Sequence, residues 1–132
     1  MLAPALLVPG CNGVTDPERE RTVIADREWT LEPLTLLVGD LDITGVGEGR
    51  VDATVEWTLA SNDVDLYVTA QACTAEMFNR GGCAFRAQAD SATAKPERLT
   101  FNVSGGDRYK FWIVNVGPQR ESGTLQMILS RD

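Results

Sequence analysis

The sequence predicts an all-β domain, an antiparallel β-sandwich or jelly roll of about seven to nine strands. Short segments alternate apolar and polar residues at period two, which is the pattern of strands that are buried on one face. Residues that favour turns separate these segments at short intervals. A single stretch, between Cys73 and Cys83, has a helical pattern instead.

The predicted strands differ in how many of their faces are apolar. In 51–59 the apolar residues share one face, and Trp57 falls in phase with them, so we expect it in the core. The segment 109–116 is apolar on both faces, which predicts a central strand that begins with a core residue, Tyr109. The full set of predicted strands is 51–59, 63–70, 99–103, 109–116 and 124–130, with weaker ones near 22–33 and 37–44.

The helical stretch covers residues 74–80, enough for about two turns. Thr74 is a favourable N-cap, and Gly81 is a favourable stop because glycine adopts the left-handed conformation that ends many helices. We therefore expect one short helix outside the strands of the sandwich.

The chain has the size and composition of one globular domain, since it has 132 residues of which 43% are hydrophobic. Its 12 Lys and Arg residues against 19 Asp and Glu residues give a net charge of −7. This acidity argues against nucleic-acid binding and against charge-driven membrane binding, because both need clustered cations. The chain has no histidine, the commonest general base, so we expect it not to be an enzyme.

The N-terminal segment contains the run Leu6–Cys11, Leu-Leu-Val-Pro-Gly-Cys. It resembles the end of a bacterial lipoprotein signal peptide, which implies an exported chain held at the membrane only by a lipid on Cys11. Pro9 is unusual there and no basic residue precedes the run, so the alternatives are a start further upstream or a plain tail. The expected division is a partial signal over 1–11, a linker over 12–20 and a β-sandwich domain over 21–132.

The three cysteines can all be accounted for. Cys73 and Cys83 have nine residues between them, and a disulfide between these two beside a lipidated Cys11 would use all three. Such a disulfide would place the domain in an oxidising compartment. The alternative is a pair of buried thiols, and a zinc site would need more ligands than two cysteines supply.

Two motifs carry a resemblance to a known family: Asn62–Val68, NDVDLYV, and Gly105–Gly117, GGDRYKFWIVNVG. Together they resemble the bacterial pre-peptidase C-terminal domain. The matching positions are Asp63, Asp65 and Tyr67 in an early strand, and Tyr109, Phe111 and Ile113 in a late strand. The resemblance implies a small β-sandwich, related in shape to the collagen-binding domains of bacterial collagenases and accessory to secreted hydrolases. No catalytic domain precedes it here and the Cys73–Cys83 insertion is an addition, so we expect a free-standing module.

A calcium site is predicted around the early motif. Asp63 and Asp65 are two apart on one strand and point to the same face, and hard oxygen ligands suit Ca²⁺. The resemblance adds to this, because some collagen-binding domains hold calcium. The predicted ligands are Asn62, Asp63, Asp65 and Asn115, with Asp40, Asp42 and Glu121 as further candidates. The alternative is that these acids only cap a loop and solvate the sheet.

Two aromatic residues are candidates for ligand binding. Tyr67 and Trp112 lie on strand faces opposite the clearest apolar sets, and exposed aromatic rings on a sheet bind sugars or peptides well. For Trp112 the alternative is burial, because its strand is apolar on both faces.

These features predict a non-catalytic cell-envelope or secreted module that binds a protein or a glycan, with Ca²⁺ as its one expected cofactor. An alternative is a purely structural or stabilising accessory domain without a ligand of its own. A third, remote alternative is a small hydrolase that uses a pair of carboxylates.

Overall fold

The computed structural model describes residues 20–43, 48–104 and 106–131, and within these ranges it contains eight strands and one helix. The strands are β1 (Glu20–Leu31), β2 (Leu36–Asp42), β3 (Gly49–Trp57), β4 (Val64–Ala70), β5 (Phe85–Ala89), β6 (Glu97–Val103), β7 (Arg108–Asn115) and β8 (Glu121–Arg131), and the helix α1 (Ala75–Asn79) lies between β4 and β5. The predictions for the signal segment, for lipidation of Cys11 and for most of the linker lie outside the described residues.

The strands form two four-stranded antiparallel sheets. The first sheet has the order β1-β8-β3-β6 and the second has the order β2-β7-β4-β5. Both orders join strands that are distant in sequence, so neighbouring strands of a sheet are mostly not consecutive in the chain. The predicted antiparallel sandwich is therefore confirmed, and β7 is a central strand, as its two apolar faces indicate.

The core lies between the sheets and consists of the inward residues of each alternating strand. In β3 the side chains of Val51, Ala53 and Val55 are buried while the residues between them face outward. Trp57 and Tyr109 belong to this core, as predicted. Each large aliphatic residue buried in this way contributes about 1.5 to 3 kcal/mol, which is the main source of stability for such a domain.

The edge strand β5 was not predicted from the sequence. Its five residues, Phe-Arg-Ala-Gln-Ala, alternate only weakly, and Ala89 is the one buried residue among them. The pairing of β5 with β4, including a register shift between Val68 and Thr69, defines this strand. Backbone pairing at a sheet edge needs little apolar area, so the side-chain pattern carries almost no signal for it.

The predicted helix is confirmed, with its predicted cap. The Thr74 side chain accepts a hydrogen bond from the Met77 backbone N–H at 3.1 Å, and Gly81 follows the helix with a φ of +75°. A disulfide joins Cys73 to Cys83, so the two ends of this excursion are tied together. Among the described residues there is no helix with the length and apolar character needed to cross a membrane.

Four connections meet at one end of the sandwich, which we call the loop end. They are residues 32–35, 58–63, 90–96 and 116–120. Antiparallel register brings them together, since Leu31 pairs with Glu121 and Val64 pairs with Asn115. The predicted calcium ligands Asn62, Asp63, Asp65 and Asn115 all lie in or beside these connections.

Candidate functional site

A buried carboxylate of β8, Glu121, holds one of the connections at the loop end. Glu121 accepts hydrogen bonds from the backbone N–H groups of Thr58, Leu59 and Ser122 at 2.9, 3.1 and 3.0 Å, and from Asn62 Nδ2 at 3.1 Å. Burial alone would raise the pKa of Glu121, but these four donors lower it overall. Glu121 and Asn62 therefore serve to join the connection 58–63 to β8.

Asn115 is likewise committed to the backbone. Its amide nitrogen donates to the carbonyls of Leu31, Glu32 and Gln119 at 3.1, 3.3 and 2.7 Å, and its side-chain oxygen accepts from the Gly117 N–H at 3.1 Å. These bonds engage both the nitrogen and the oxygen of the Asn115 amide. Its role as a calcium ligand stays a prediction, and in the structure its side chain joins the end of β1 and connection 32–35 to connection 116–120.

A group of three acids, which we call the acid trio, lies beside this network. It consists of Asp63, Asp65 and Glu97, and one carboxylate oxygen from each lies within 4.8 Å of the others. Asp63 ends the connection before β4, Asp65 is the second residue of β4, and Glu97 is the first residue of β6. The trio therefore joins the second sheet to an edge strand of the first.

Two members of the trio are buried with oxygens that have no partner. Asp65 is 6% exposed and Glu97 is 3% exposed, and Asp65 Oδ1, Glu97 Oε2 and Asp63 Oδ1 make no hydrogen bond. None of the ion pairs among the described residues includes a member of the trio. Unpartnered buried carboxylates are costly, so the arrangement favours a bound cation or bound protons.

The electrostatics of the trio agree with its burial. Desolvation, followed by the charge of Asp63, raises the pKa of Asp65 to about 6. Desolvation, followed by the charges of Asp65, Asp63 and Asp90, raises the pKa of Glu97 to about 7. Burial and the neighbouring Asp90 also raise the pKa of Asp63. The four acids therefore repel one another strongly when all are ionised, which a divalent cation would relieve.

The chemistry of this donor set fits Ca²⁺. Its ligand atoms are all hard oxygens, and calcium takes about six to eight of them, so backbone carbonyls and water would complete the shell around the trio. Of the predicted ligands, the structure brings together Asp63 and Asp65. The amide nitrogen of Asn62 donates to Glu121 and Gln119, and its buried Oδ1 has no hydrogen-bond partner.

Glu97 is a ligand candidate that was not predicted from the sequence. Its strand was predicted from Leu99, Phe101 and Val103 as the inward residues, and Glu97 lies two residues before Leu99 on the same face. An acid in phase with a buried face needs a partner, and this was the signal that could have identified it.

The aromatic candidates lie next to the trio, beneath α1. Phe78 of α1 stacks on Trp112 with 4.3 Å between ring centroids, and Tyr67 packs against Phe78 and Phe85 at 5.4 and 4.7 Å. The Trp112 Nε1–H donates to Thr69 Oγ1 at 2.9 Å. Trp112 is 0% exposed, so the expectation that it offers a surface ring is corrected; the disulfide-tied helix covers this face of the sheet.

Tyr67 connects the aromatic cluster to the acid trio. Its ring is half-buried, and its hydroxyl donates to Asp65 Oδ2 at 3.1 Å. Burial, together with the charge of Asp65, raises the pKa of the Tyr67 hydroxyl, which therefore stays a donor across the ordinary pH range. The hydroxyl orients Asp65 so that its other oxygen, Oδ1, is the unpartnered one.

Two antiparallel sheets, a polar network at one end and one disulfide-tied helix define the class of this protein, a small β-sandwich module. No family model and no curated protein sequence matches the chain. Among solved structures, it is similar to the pre-peptidase C-terminal domain of a collagenase from Bacillus anthracis, with a TM-score of 0.59 and 9% identity over 80% of this chain and 89% of that domain.

Two further structures have the same fold. The Yersinia pseudotuberculosis-derived mitogen has a TM-score of 0.59 and 15% identity, covering 86% of this chain and 90% of that one. The periplasmic inhibitor of g-type lysozyme from Aeromonas hydrophila has a TM-score of 0.52 and 10% identity, covering 81% and 85%. At these identities the likeness concerns the fold alone, and at that level the resemblance to the pre-peptidase C-terminal domain is confirmed.

Proposed function

We propose that this protein is an exported, non-catalytic binding module whose acid trio binds Ca²⁺ and so stabilises the loop end. One observation carries the proposal: Asp65 and Glu97 are both almost fully buried, and each directs an oxygen without a partner into the same group. A purely solvating role for these acids would leave them exposed and hydrated.

Calcium is favoured over other metals by the ligand types. The trio contains no nitrogen or sulfur ligand, and zinc sites are built mainly from histidine and cysteine. Magnesium demands a strict octahedral shell and gives up its water reluctantly, whereas calcium accepts irregular, mixed carboxylate sites. The trio joins two strands from different sheets, so a cation there ties β4 to β6.

The proposed partner is a protein or a glycan at the cell envelope. The similar fold of a lysozyme inhibitor described as periplasmic supports a binding role and an extracytoplasmic location. The Cys73–Cys83 disulfide supports the same location, because such bonds persist in oxidising compartments. The proposal includes a lipid on Cys11, which would anchor the module to a membrane.

A small carboxylate hydrolase is the second candidate, and one observation favours it. The raised pKa values of Asp65 and Glu97, about 6 and about 7, suit a general acid near neutral pH. The two hypotheses make opposite demands on Glu97, since a general acid must keep its proton and a calcium ligand must lose it.

The test is calorimetric titration of the protein with CaCl₂ at pH 7.5 in two buffers of different ionisation enthalpy. We expect one calcium per chain with release of protons, and binding at least about tenfold weaker in Glu97→Gln. Glu28→Gln, an exposed acid on β1, is the matched control and should bind as the parent does. Absence of binding at millimolar calcium, or equal binding by Glu97→Gln, would overturn the proposal.

A further inference from the structure

The outer face of the first sheet has a groove that none of the preceding features uses. This sheet-face groove has a volume of about 420 Å³ and is lined by Asp26, Thr54, Glu56, Arg98, Thr124 and Gln126. These residues come from all four strands of the sheet. The acid trio is not part of its lining.

Strand register aligns the groove residues across the sheet. Asp26 of β1 pairs with Gln126 of β8, Gln126 pairs with Thr54 of β3, and Thr54 pairs with Arg98 of β6. The row therefore spans three strand spacings, or about 14 Å. Glu56 and Thr124 form a second pair beside it. The short Thr54 lies in the middle of the first row and is half-buried, while the longer side chains at both ends of the row are exposed.

The six groove side chains differ in their hydrogen bonding from other polar pairs that the structure describes. Among the described residues, none of the six side chains makes a hydrogen bond or an ion pair. Two pairs elsewhere on the same face are bonded to each other, since Thr100 donates to Asp52 at 2.8 Å and Thr30 bonds Ser122 at 2.9 Å. Polar side chains without internal hydrogen bonds are available to a ligand without breaking any such bond.

An apolar strip borders the polar row. Val23 of β1 pairs with Ile128 of β8 on the same face, and Val23 is 55% exposed. A register shift between Val23 and Ala25 displaces β1 at this point, directly beside Asp26. The ligand surface is thus amphipathic, with donors and acceptors in the groove and aliphatic carbon along one border.

The charges of the groove disfavour an acidic ligand. Asp26 and Glu56 line it, Glu28 lies in the neighbouring row, and Arg98 is the single cationic residue of the lining. An anionic group would therefore meet more negative than positive charge. A ligand that is neutral and rich in hydroxyl groups fits instead, because each hydroxyl both donates and accepts a hydrogen bond.

We infer that the sheet-face groove binds a non-acidic oligosaccharide. Carboxylates of Asp26 and Glu56 would accept from adjacent sugar hydroxyls, Arg98 would donate to them, and Gln126 would do both. Val23 and Ile128 would pack against the C–H face of a sugar ring. A peptide fits this groove less well, because extended peptides bind mainly to the backbone of a sheet edge and this groove lies in the middle of a sheet face. The inference rests on the proposed binding function and names its ligand class.

The experiment is an NMR titration of uniformly ¹⁵N-labelled protein with cellotriose, maltotriose and chitotriose as neutral probes, and trigalacturonic acid as the acidic probe. We expect at least one neutral trisaccharide to shift the backbone amides of Thr54, Thr124 and Gln126, while amides of the second sheet stay unchanged. Arg98→Ala and Gln126→Ala should each weaken binding about tenfold or more. Asn102→Ala, on the same strand and face as Arg98, is the matched control and should not weaken it.

Three results would overturn the inference: no neutral probe moves these amides at about 10 mM, the acidic probe moves them most, or the two groove variants bind like the parent. A calcium titration of the same sample separates the two proposals. If calcium binds at the acid trio and no sugar binds, the groove inference alone fails; if neither binds, both fail.

Discussion

Phe78 of α1 stacks on Trp112 of β7 with their ring planes 8° from parallel and 4.3 Å between centroids. This contact fixes the helix to the outer face of the second sheet, where Lys110 Nζ also donates to the Cys73 carbonyl at 2.7 Å. A sheet face that could have been a binding surface is therefore occupied by the protein's own helix.

Removing the Phe78 ring should expose Trp112. We expect Phe78→Ala to shift part of the tryptophan emission to longer wavelength and to lower the free energy of unfolding by about 1 to 3 kcal/mol, since stacking and buried area are both lost. Fluorescence and urea denaturation measure the two effects. Asn79→Ala, an exposed change on the same helix, should leave the emission unchanged. An unchanged emission in Phe78→Ala would contradict the packing.

The disulfide should stabilise the helical excursion without being required for the sandwich. When Cys73 and Cys83 are both replaced by serine, the disulfide no longer restricts the unfolded chain. For a loop of this length, we expect the free energy of unfolding to fall by about 2 to 3 kcal/mol. Denaturation should give this decrease while far-ultraviolet circular dichroism keeps its β-sheet signal. The reduced parent protein should behave as the double variant does, and a complete loss of fold would show that the excursion supports the sheets.

Glu121 should be among the most sensitive positions of the loop end. Glu121→Ala leaves the N–H groups of Thr58 and Leu59 without acceptors, so we expect a loss of about 2 to 4 kcal/mol. Because the folded pKa of Glu121 is lowered, its contribution is present above its ordinary pKa and is lost as pH falls through the folded value. As pH is lowered, the free energy of unfolding should therefore fall less steeply in Glu121→Gln than in the parent. If the free energy of unfolding falls equally with acid in the parent and in Glu121→Gln, this role is contradicted.

The acid trio should produce the opposite pH dependence when no metal is present. Asp65 and Glu97 have raised pKa values, about 6 and about 7, so between about pH 4 and 7 the folded state holds protons that the unfolded state has released. In excess chelator, the free energy of unfolding should fall as pH rises through this window and level off above it. Glu97→Gln should flatten the decline, and a decline that persists unchanged in this variant would rule out Glu97 as its source.

The sequence predicted the features that depend on local pattern. Period two located the core strands and placed Trp57 and Tyr109 in the core, and the Thr74 cap and Gly81 stop bounded the helix. The missed features depend on tertiary contacts. The pattern of β7 indicated two buried faces but not what covers the second one.

In the candidate site, too, the local pattern predicted some residues and only tertiary contacts reveal the others. Asp63 and Asp65 could be paired from their spacing on one strand, whereas Glu97 joins them only because β5 and the connection 90–96 bring β6 back to the end of β4. For Asn115 the sequence indicated only the chemistry of the side chain, because an amide can contact either a cation or a backbone group. Its partner Leu31 lies at the end of β1 and its partner Gln119 in connection 116–120, which no local pattern indicates.

The most direct test of the central claim is the thermal midpoint of the parent and of Glu97→Gln, each with excess calcium and with excess chelator at pH 8. Calcium should raise the parent's midpoint by roughly 5 to 10 °C when it is about a hundredfold above its dissociation constant. In chelator, Glu97→Gln should melt no lower than the parent, because it removes an unpaired buried charge, and calcium should raise its midpoint far less. Identical midpoints for the parent in calcium and in chelator would contradict the account.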